Sequence, residues 1–289
     1  KNTGVELALT WDDTLGKDFK YNISLNGSYN KNEVGNIPTS DGIIHGAGDE
    51  LYNNASEFYR AENGQPIGYF WGYKTAGIFQ NTQEIDEWRA AGNGILQSNV
   101  QPGDVRFVDR NHDGQINDKD KVNLGNGTPD FTLGLNLGFV YKGFDFSIVA
   151  NGAFGQQIVQ SYRNHTRPTP NYTTAILDRW HGEGTSNRIP RVTDSNINYQ
   201  FSDLFIQNGD YLRLSTLTLG YDFAKLFKGK AVSQARLYFQ VQNLFIITGY
   251  DGMDPEIGFG SSNNSWVSGL DYGYYPRPRT VLVGVNLKF

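Results

Sequence analysis

From residue 130 to the last residue, apolar and polar side chains alternate in runs of roughly ten residues. The connections between runs switch between very short and very long. The final run shows the pattern best. Val281, Val283, Val285, Leu287 and Phe289 fall on one face, and Leu282, Gly284, Asn286 and Lys288 on the other. Side chains of a β-strand point to opposite faces at successive residues, so this order makes one greasy face and one mostly small or polar face. Repeated along a chain, it is the pattern of a transmembrane β-barrel whose solvent is a bilayer.

Nine segments read as spanning strands. Residues 3–11 place Val5, Leu7, Leu9 and Trp11 together, and residues 18–29 do so for Phe19, Tyr21, Ile23 and Leu25. Residues 54–61 are weak, and residues 66–79 align Ile67, Tyr69, Trp71 and Tyr73. Residues 130–141 oppose Leu133, Leu135 and Leu137 to Thr132, Gly134 and Asn136. Residues 143–153, 211–223, 235–247 and 279–289 complete the set, with Phe146, Ile148, Leu219, Phe239, Val283, Val285 and Leu287 facing outward. A tilted barrel strand needs about 9 to 11 residues to cross a membrane.

Loop lengths carry separate information. The connections 11–18, 62–66, 141–144 and 223–234 are short; those near 31–53, 80–129, 154–210 and 248–278 are long. Strict alternation puts all short turns on one side, as in barrels with short periplasmic turns and long outer loops. A soluble antiparallel meander has no reason to sort loops this way.

Composition agrees. Tyr and Phe dominate an aromatic share of 14%, which suits interfacial girdles, and 34 glycines suit tight turns and a crowded inner wall. No apolar run approaches the ~18 residues of a spanning helix. Cysteine is absent, which excludes disulfides and thiolate metal sites. A net charge of −5 gives no reason to expect a nucleic acid partner. No secretory leader precedes Lys1, so an exported protein would be represented by its mature chain or a piece of it.

Within the long loops, Asn81 can cap a helix with Glu84 reaching back, running to Arg89 and stopped at Gly92. A second short helical segment is predicted from Thr173 to Trp180. Asp109, Asn111, Asp113, Gly114, Gln115, Ile116 and Asp120 follow the twelve-residue calcium loop. In that loop positions 1, 3 and 5 give side-chain oxygens, glycine at 6 turns the chain, position 7 gives its carbonyl and position 12 closes the shell. Asp109, Asn111, Asp113, Gln115 and Asp120 are therefore the expected ligands of a structural Ca2+, with aspartate in place of glutamate at the last position. The competing reading is a polar turn rich in Asp, Asn and Gly that needs no metal.

Catalytic signals are lacking. His45, His112, His165 and His181 are scattered, no nucleophile motif or phosphate-binding glycine loop appears, and Asp12–Asp13 reads as a turn. The chain is read as a non-enzyme. Trp180, Trp266, Tyr272, Tyr274 and Tyr275 fall in long loops, where they can pack the loops or stack on sugar rings.

A series of motifs resembles the C-terminal part of SusC-like TonB-dependent transporters of the Bacteroidetes outer membrane. They are Gly103-Asp104-Val105-Arg106-Phe107 leading into the acidic loop, Leu177-Asp178-Arg179-Trp180 followed by Arg188-Ile189-Pro190-Arg191, Asn208-Gly209-Asp210-Tyr211-Leu212-Arg213-Leu214, Asp254-Pro255-Glu256, and Tyr275-Pro276-Arg277-Pro278-Arg279. The resemblance covers about residues 65–289 and implies a section of a plugged barrel of about 22 strands. It also implies a SusD-like lipoprotein lid, TonB acting on an N-terminal plug, and import of oligosaccharides or peptides. The chain departs from the pattern in lacking the plug.

The fold expected is thus all-β: about nine strands forming the C-terminal portion of a large antiparallel transmembrane β-barrel with long extracellular loops. Residues 1–289 would form one section of wall, with the remaining strands, the plug and outer-membrane lipid as its neighbours. A calcium-stabilised, β-rich surface glycan-binding protein is the alternative.

Overall fold

The computed structural model describes residues 1–46, 57–161, 171–227, 232–257 and 266–289. Seven long strands form one antiparallel sheet in sequence order: β1 (Asn2–Leu15), β2 (Phe19–Asn32), β3 (Phe131–Tyr141), β4 (Phe144–Phe154), β5 (Tyr211–Asp222), β6 (Gln234–Thr248) and β7 (Thr280–Lys288).

Register carries the alternation across the whole sheet. One row runs Trp11, Ile23, Leu137, Ile148, Leu217, Val241, Val281, each paired with the next. The row beside it, on the other face, runs Thr10, Ser24, Asn136, Val149, Thr216, Gln242, Thr280. The outward set named from sequence lies in register on the first face. That face is open: Val5 is 72% exposed, Trp11 61% and Val283 70%. Soluble proteins rarely leave so continuous an apolar surface in water, whereas hydrocarbon solvates it at no cost.

The tight turns sit where glycine or a left-handed residue permits them. Gly16 (φ 67°) follows β1, and Lys142 and Gly143 (φ 48° and 92°) make the two-residue link between β3 and β4. Three long excursions, 33–130, 155–210 and 249–279, leave the opposite end of the sheet.

Two of the nine predicted spanning segments belong to these excursions. Residues 54–56 lie outside the described residues, and the rest of that segment gives the strand Tyr59–Glu62. Residues 66–79 divide into Tyr69–Tyr73 and Thr75–Ile78, which join small sheets of the loop region. Every residue of Tyr69–Tyr73 is buried. Its aromatic alternation meets protein on both sides, and the Arg60 guanidinium lies 3.1 Å from the Trp71 ring centroid. Alternation reports that a face is dry; it does not say whether lipid or protein dries it. Because the two segments drop out as a pair, the sorting of short and long connections to opposite ends survives.

The excursions pack into one loop domain. Its core takes Phe58, Tyr59, Phe70 and Leu124 from the first, Val159, Phe201 and Phe205 from the second, and Val267 and Leu270 from the third. The predicted loop helix is present as α1 (Thr82–Ala90). The Asn81 side chain accepts the Glu84 N–H at 3.0 Å, and the Glu84 carboxylate accepts the Gln80 N–H at 3.0 Å. The second helical segment is a short 3-10 turn, Thr174–Asp178.

Candidate functional site

The loop domain holds the polar chemistry of the chain. Its centre is a buried network. Asp104, 2% exposed, accepts from Arg191 Nε at 2.7 Å and from Asn198 Nδ2 at 2.9 Å. The Asn198 carbonyl in turn accepts from the Val105 N–H at 3.0 Å and from Gln97 Nε2 at 2.9 Å. A charged side chain buried this deeply persists only when its hydrogen-bonding capacity is met. Here the met network ties the first excursion to the second.

A second network ties the wall to the third excursion. Arg213 on β5 is 4% exposed and stands 2.5 Å from Asp254 and 3.1 Å from Glu256, and Glu256 also meets Arg277 at 2.9 Å. The motifs that carry the family resemblance are therefore places where the loop domain is fastened: Asp104 to Arg191 between two excursions, Arg213 to Asp254 between wall and loop, and Glu256 to Arg277 within the third excursion.

The acidic loop lies between Phe107 and the strand Lys121–Asn123. Asp109 Oδ2 accepts the N–H groups of Gly94 and Gly114, each at 2.9 Å. Asn111 Oδ1 accepts from Asp113 N at 3.1 Å, and Asp113 Oδ1 from Gln115 N at 2.9 Å. Asp120 accepts from Arg110 N at 2.8 Å and from Asn117 N at 2.9 Å. Burial pushes the Asp109 pKa up, but the amides of Gly94, Gly114, Asp113 and His112 together more than offset this and leave it below the usual carboxylate value. Among the described residues no three His, Asp or Glu side chains gather as ready metal ligands. Nearby Tyr73 is pushed up to about 12, mainly by burial and then by the negative Asp118 and Asp120.

Among the hollows on the loop domain, two exceed 400 Å³. A polar cleft of about 720 Å³ is lined by Arg60, Glu62, Trp71, Arg110 and Lys121, among others. Its cations are mostly matched, Arg60 by Glu57 at 2.7 Å and Lys121 by Asp118 at 2.9 Å. The other hollow, about 440 Å³, mixes the aromatic side chains of Tyr172, Tyr199 and Phe205 with Gln160, Arg188 and Asp251. It falls within the size range of small-molecule sites and has their mixed lining of aromatic and polar groups.

The aromatic residues named from sequence have other tasks. Trp180 donates from Nε1 to Gln80 Oε1 at 3.2 Å, and Trp266 and Tyr272 pack on the loop core. Tyr274 and Tyr275 are exposed. Tyr172, Tyr199 and Phe205 escaped sequence reading because they are far apart in the chain and show no common spacing. His45 lies between Asp41 (3.2 Å) and Glu57 (3.0 Å), and His165 lies outside the described residues.

A sheet apolar on one face, polar on the other, with its loop domain at one end, defines a section of outer-membrane β-barrel. Known proteins specify the type. No family model matches the chain. TonB-dependent receptor P3 of Formosa agariphila is 31% identical over 301 residues, covering 100% of this chain and 29% of that receptor. TonB-dependent receptor SusC of Bacteroides thetaiotaomicron is 28% identical over 291 residues, covering 100% of the chain and 26% of SusC. Among solved structures, that of the RagAB peptide transporter superposes with a TM-score of 0.72 at 21% identity, over 100% of the chain and 29% of the matched chain. The chain is homologous to SusC-like TonB-dependent receptors of the outer membrane and spans between a quarter and a third of the length of these relatives.

Proposed function

We propose that residues 1–289 are the C-terminal section of the wall, with its outer loop domain, in a TonB-dependent importer of oligosaccharides or peptides. The observation that carries this reading is the seven-strand register, which keeps one apolar face continuous while every long excursion leaves from one end. In the described sheet β1 and β7 are each paired on one side only. Unpaired backbone groups in hydrocarbon cost several kcal/mol each, so further strands of the receptor cover both edges. The plug, which TonB engages, belongs to that remainder. A SusD-like lipoprotein closes over the loop domain, and the 440 Å³ hollow is where cargo touches this section. A soluble glycan-binding module is disfavoured by the open apolar face.

Purification of the native complex in detergent followed by mass spectrometry tests the reading. Peptides of this chain are expected within a polypeptide about three times its length, since the chain matches 29% of receptor P3, and in company with a lipoprotein. Recovery of a closed 289-residue monomer, or of a protein soluble without detergent, overturns it.

A further inference from the structure

Asp109 and Asp120 are 1% and 0% exposed, so the loop between them begins and ends on a buried carboxylate. Among the described residues neither has a Lys, Arg or His partner. The nearest candidates are used elsewhere: Lys121 pairs with Asp118 at 2.9 Å, and the Arg110 side chain is exposed. Backbone amides supply part of the compensation, but Asp109 Oδ1 is buried and receives no hydrogen bond of good geometry. A buried carboxylate left without a counter-charge is among the costliest features a fold can carry. Two of them on one loop call for a positive charge that the protein itself does not provide.

The geometry says where that charge would sit. Arg110 N donates to Asp120 Oδ1 at 2.8 Å, which brings the last carboxylate of the loop against its first peptide unit. His112 and Gly114 both adopt positive φ (53° and 79°) and curl the segment between them. Residues 110–115 are exposed, so a small ion can enter from solvent.

We propose that this loop binds one divalent cation of the calcium type, held by Asp109 Oδ1, Asp120 and Asp113, with the Asn111 amide oxygen and the Gln115 carbonyl completing the shell. Oxygen ligands of mixed charge suit a hard, larger cation and not zinc, which takes nitrogen and sulfur donors. The ion's task is structural. Asp109 Oδ2 accepts the Gly94 N–H, and Gly94 packs on the backbone of Gln115, where an added Cβ would stand 2.7 Å from the carbonyl carbon. Trp88 at the end of α1 donates to the Gly94 carbonyl at 3.1 Å. The loop thus clamps the exit of α1, and the ion would hold the clamp. The proposal stands whether or not the receptor imports any particular cargo.

The test uses the full receptor in detergent. Terbium substituted for calcium should luminesce on excitation of tryptophan, through Trp88 beside the loop, and calcium should quench the signal by competition. Elemental analysis should find one calcium more in the wild type than in D113N, which alters only an exposed ligand. D118N, at an exposed carboxylate outside the ligand set, should match the wild type. Chelator should speed proteolytic cleavage near α1 in the wild type and not in D113N, a comparison that remains valid if D109N fails to fold. Equal metal content in wild type and D113N, or cleavage indifferent to chelator, overturns the proposal.

Discussion

Asp145 on β4 and Arg236 on β6 join hands over Gly220 on β5, with Arg236 Nε and Nη2 donating to the two carboxylate oxygens at 2.8 and 2.5 Å. The pair skips a strand, which is possible because Gly220 has no side chain. A Cβ there would stand 2.4 Å from Asp145 Oδ1 and 2.7 Å from Arg236 Nε. A planar guanidinium gripping a carboxylate in two places fixes orientation as well as distance, so this bridge clamps three neighbouring strands on the polar face.

Gly220→Val should break that clamp while suiting strand propensity. The expected result is a loss of unfolding free energy, read from urea titration, of about 1 to 3 kcal/mol, with Asp145→Ala similar in size. Because both act on one interaction, the double variant should cost little more than either alone. Full additivity in a double-mutant cycle would refute the linkage.

The two faces of β3 should respond differently to charge. Leu135→Arg places a cation on the lipid face at mid-strand and should cost ~2 to 4 kcal/mol, lowering the yield of assembled receptor. Asn136→Arg, one residue on, faces the polar side and should be milder. Equal yields of heat-resistant barrel on gels would show the face assignment to be wrong.

Arg213 is the buried member of its network, and removing it leaves Asp254 without a cation while Glu256 keeps only Arg277. Arg213→Ala should destabilise the fastening of residues 249–257 by about 3 to 5 kcal/mol, the scale for breaking a buried ion pair. Limited proteolysis should then cut in the third excursion while the barrel remains intact. Unchanged cleavage would place the anchor elsewhere.

His45 gives the loop domain a pH dependence. Hydrogen bonds donated to Glu57, then to Asp41, raise its pKa above 6.5 in the folded state. A raised folded pKa contributes stability that is present below the unfolded value and lost as pH rises through the folded value. The strand Ile43–His45 should therefore exchange its amide hydrogens faster on going from mildly acidic to mildly alkaline solution. The effect should be small, since His45 is half exposed, and His45→Gln should remove it. A pH response that survives in His45→Gln would discount this residue.

Much of the wall was legible because its physics is local. Apart from the slip in β5, the wall strands display their face at every second residue, and short turns announce themselves through glycine. The Asn81 cap was legible for the same reason, since its partners lie within four residues. The misreading of 66–79 came from a non-local fact: Tyr69, Trp71 and Tyr73 are dried by Arg60, Lys121 and other loop residues rather than by lipid. The hollow lined by Tyr172, Tyr199 and Phe205 was invisible for a similar reason, as it exists only once the excursions pack together.

By itself, the sequence determined the class of wall and the sorting of short and long connections to opposite sides, both of which depend on residues close in the chain. Arg213 shows what only tertiary structure could decide. Counting back by twos from Leu217 puts Ser215 and Arg213 on the apolar face. Instead the ladder slips at Ser215, where Val149 pairs with Thr216 and Ala150 with Leu214. The extra residue reverses the alternation, turns Leu214 and Leu212 toward the apolar side, and swings Arg213 inward to Asp254. A charge on the lipid face is too costly to keep, and the bulge turns Arg213 to a partner, Asp254, that lies forty-one residues away and cannot be read from local sequence.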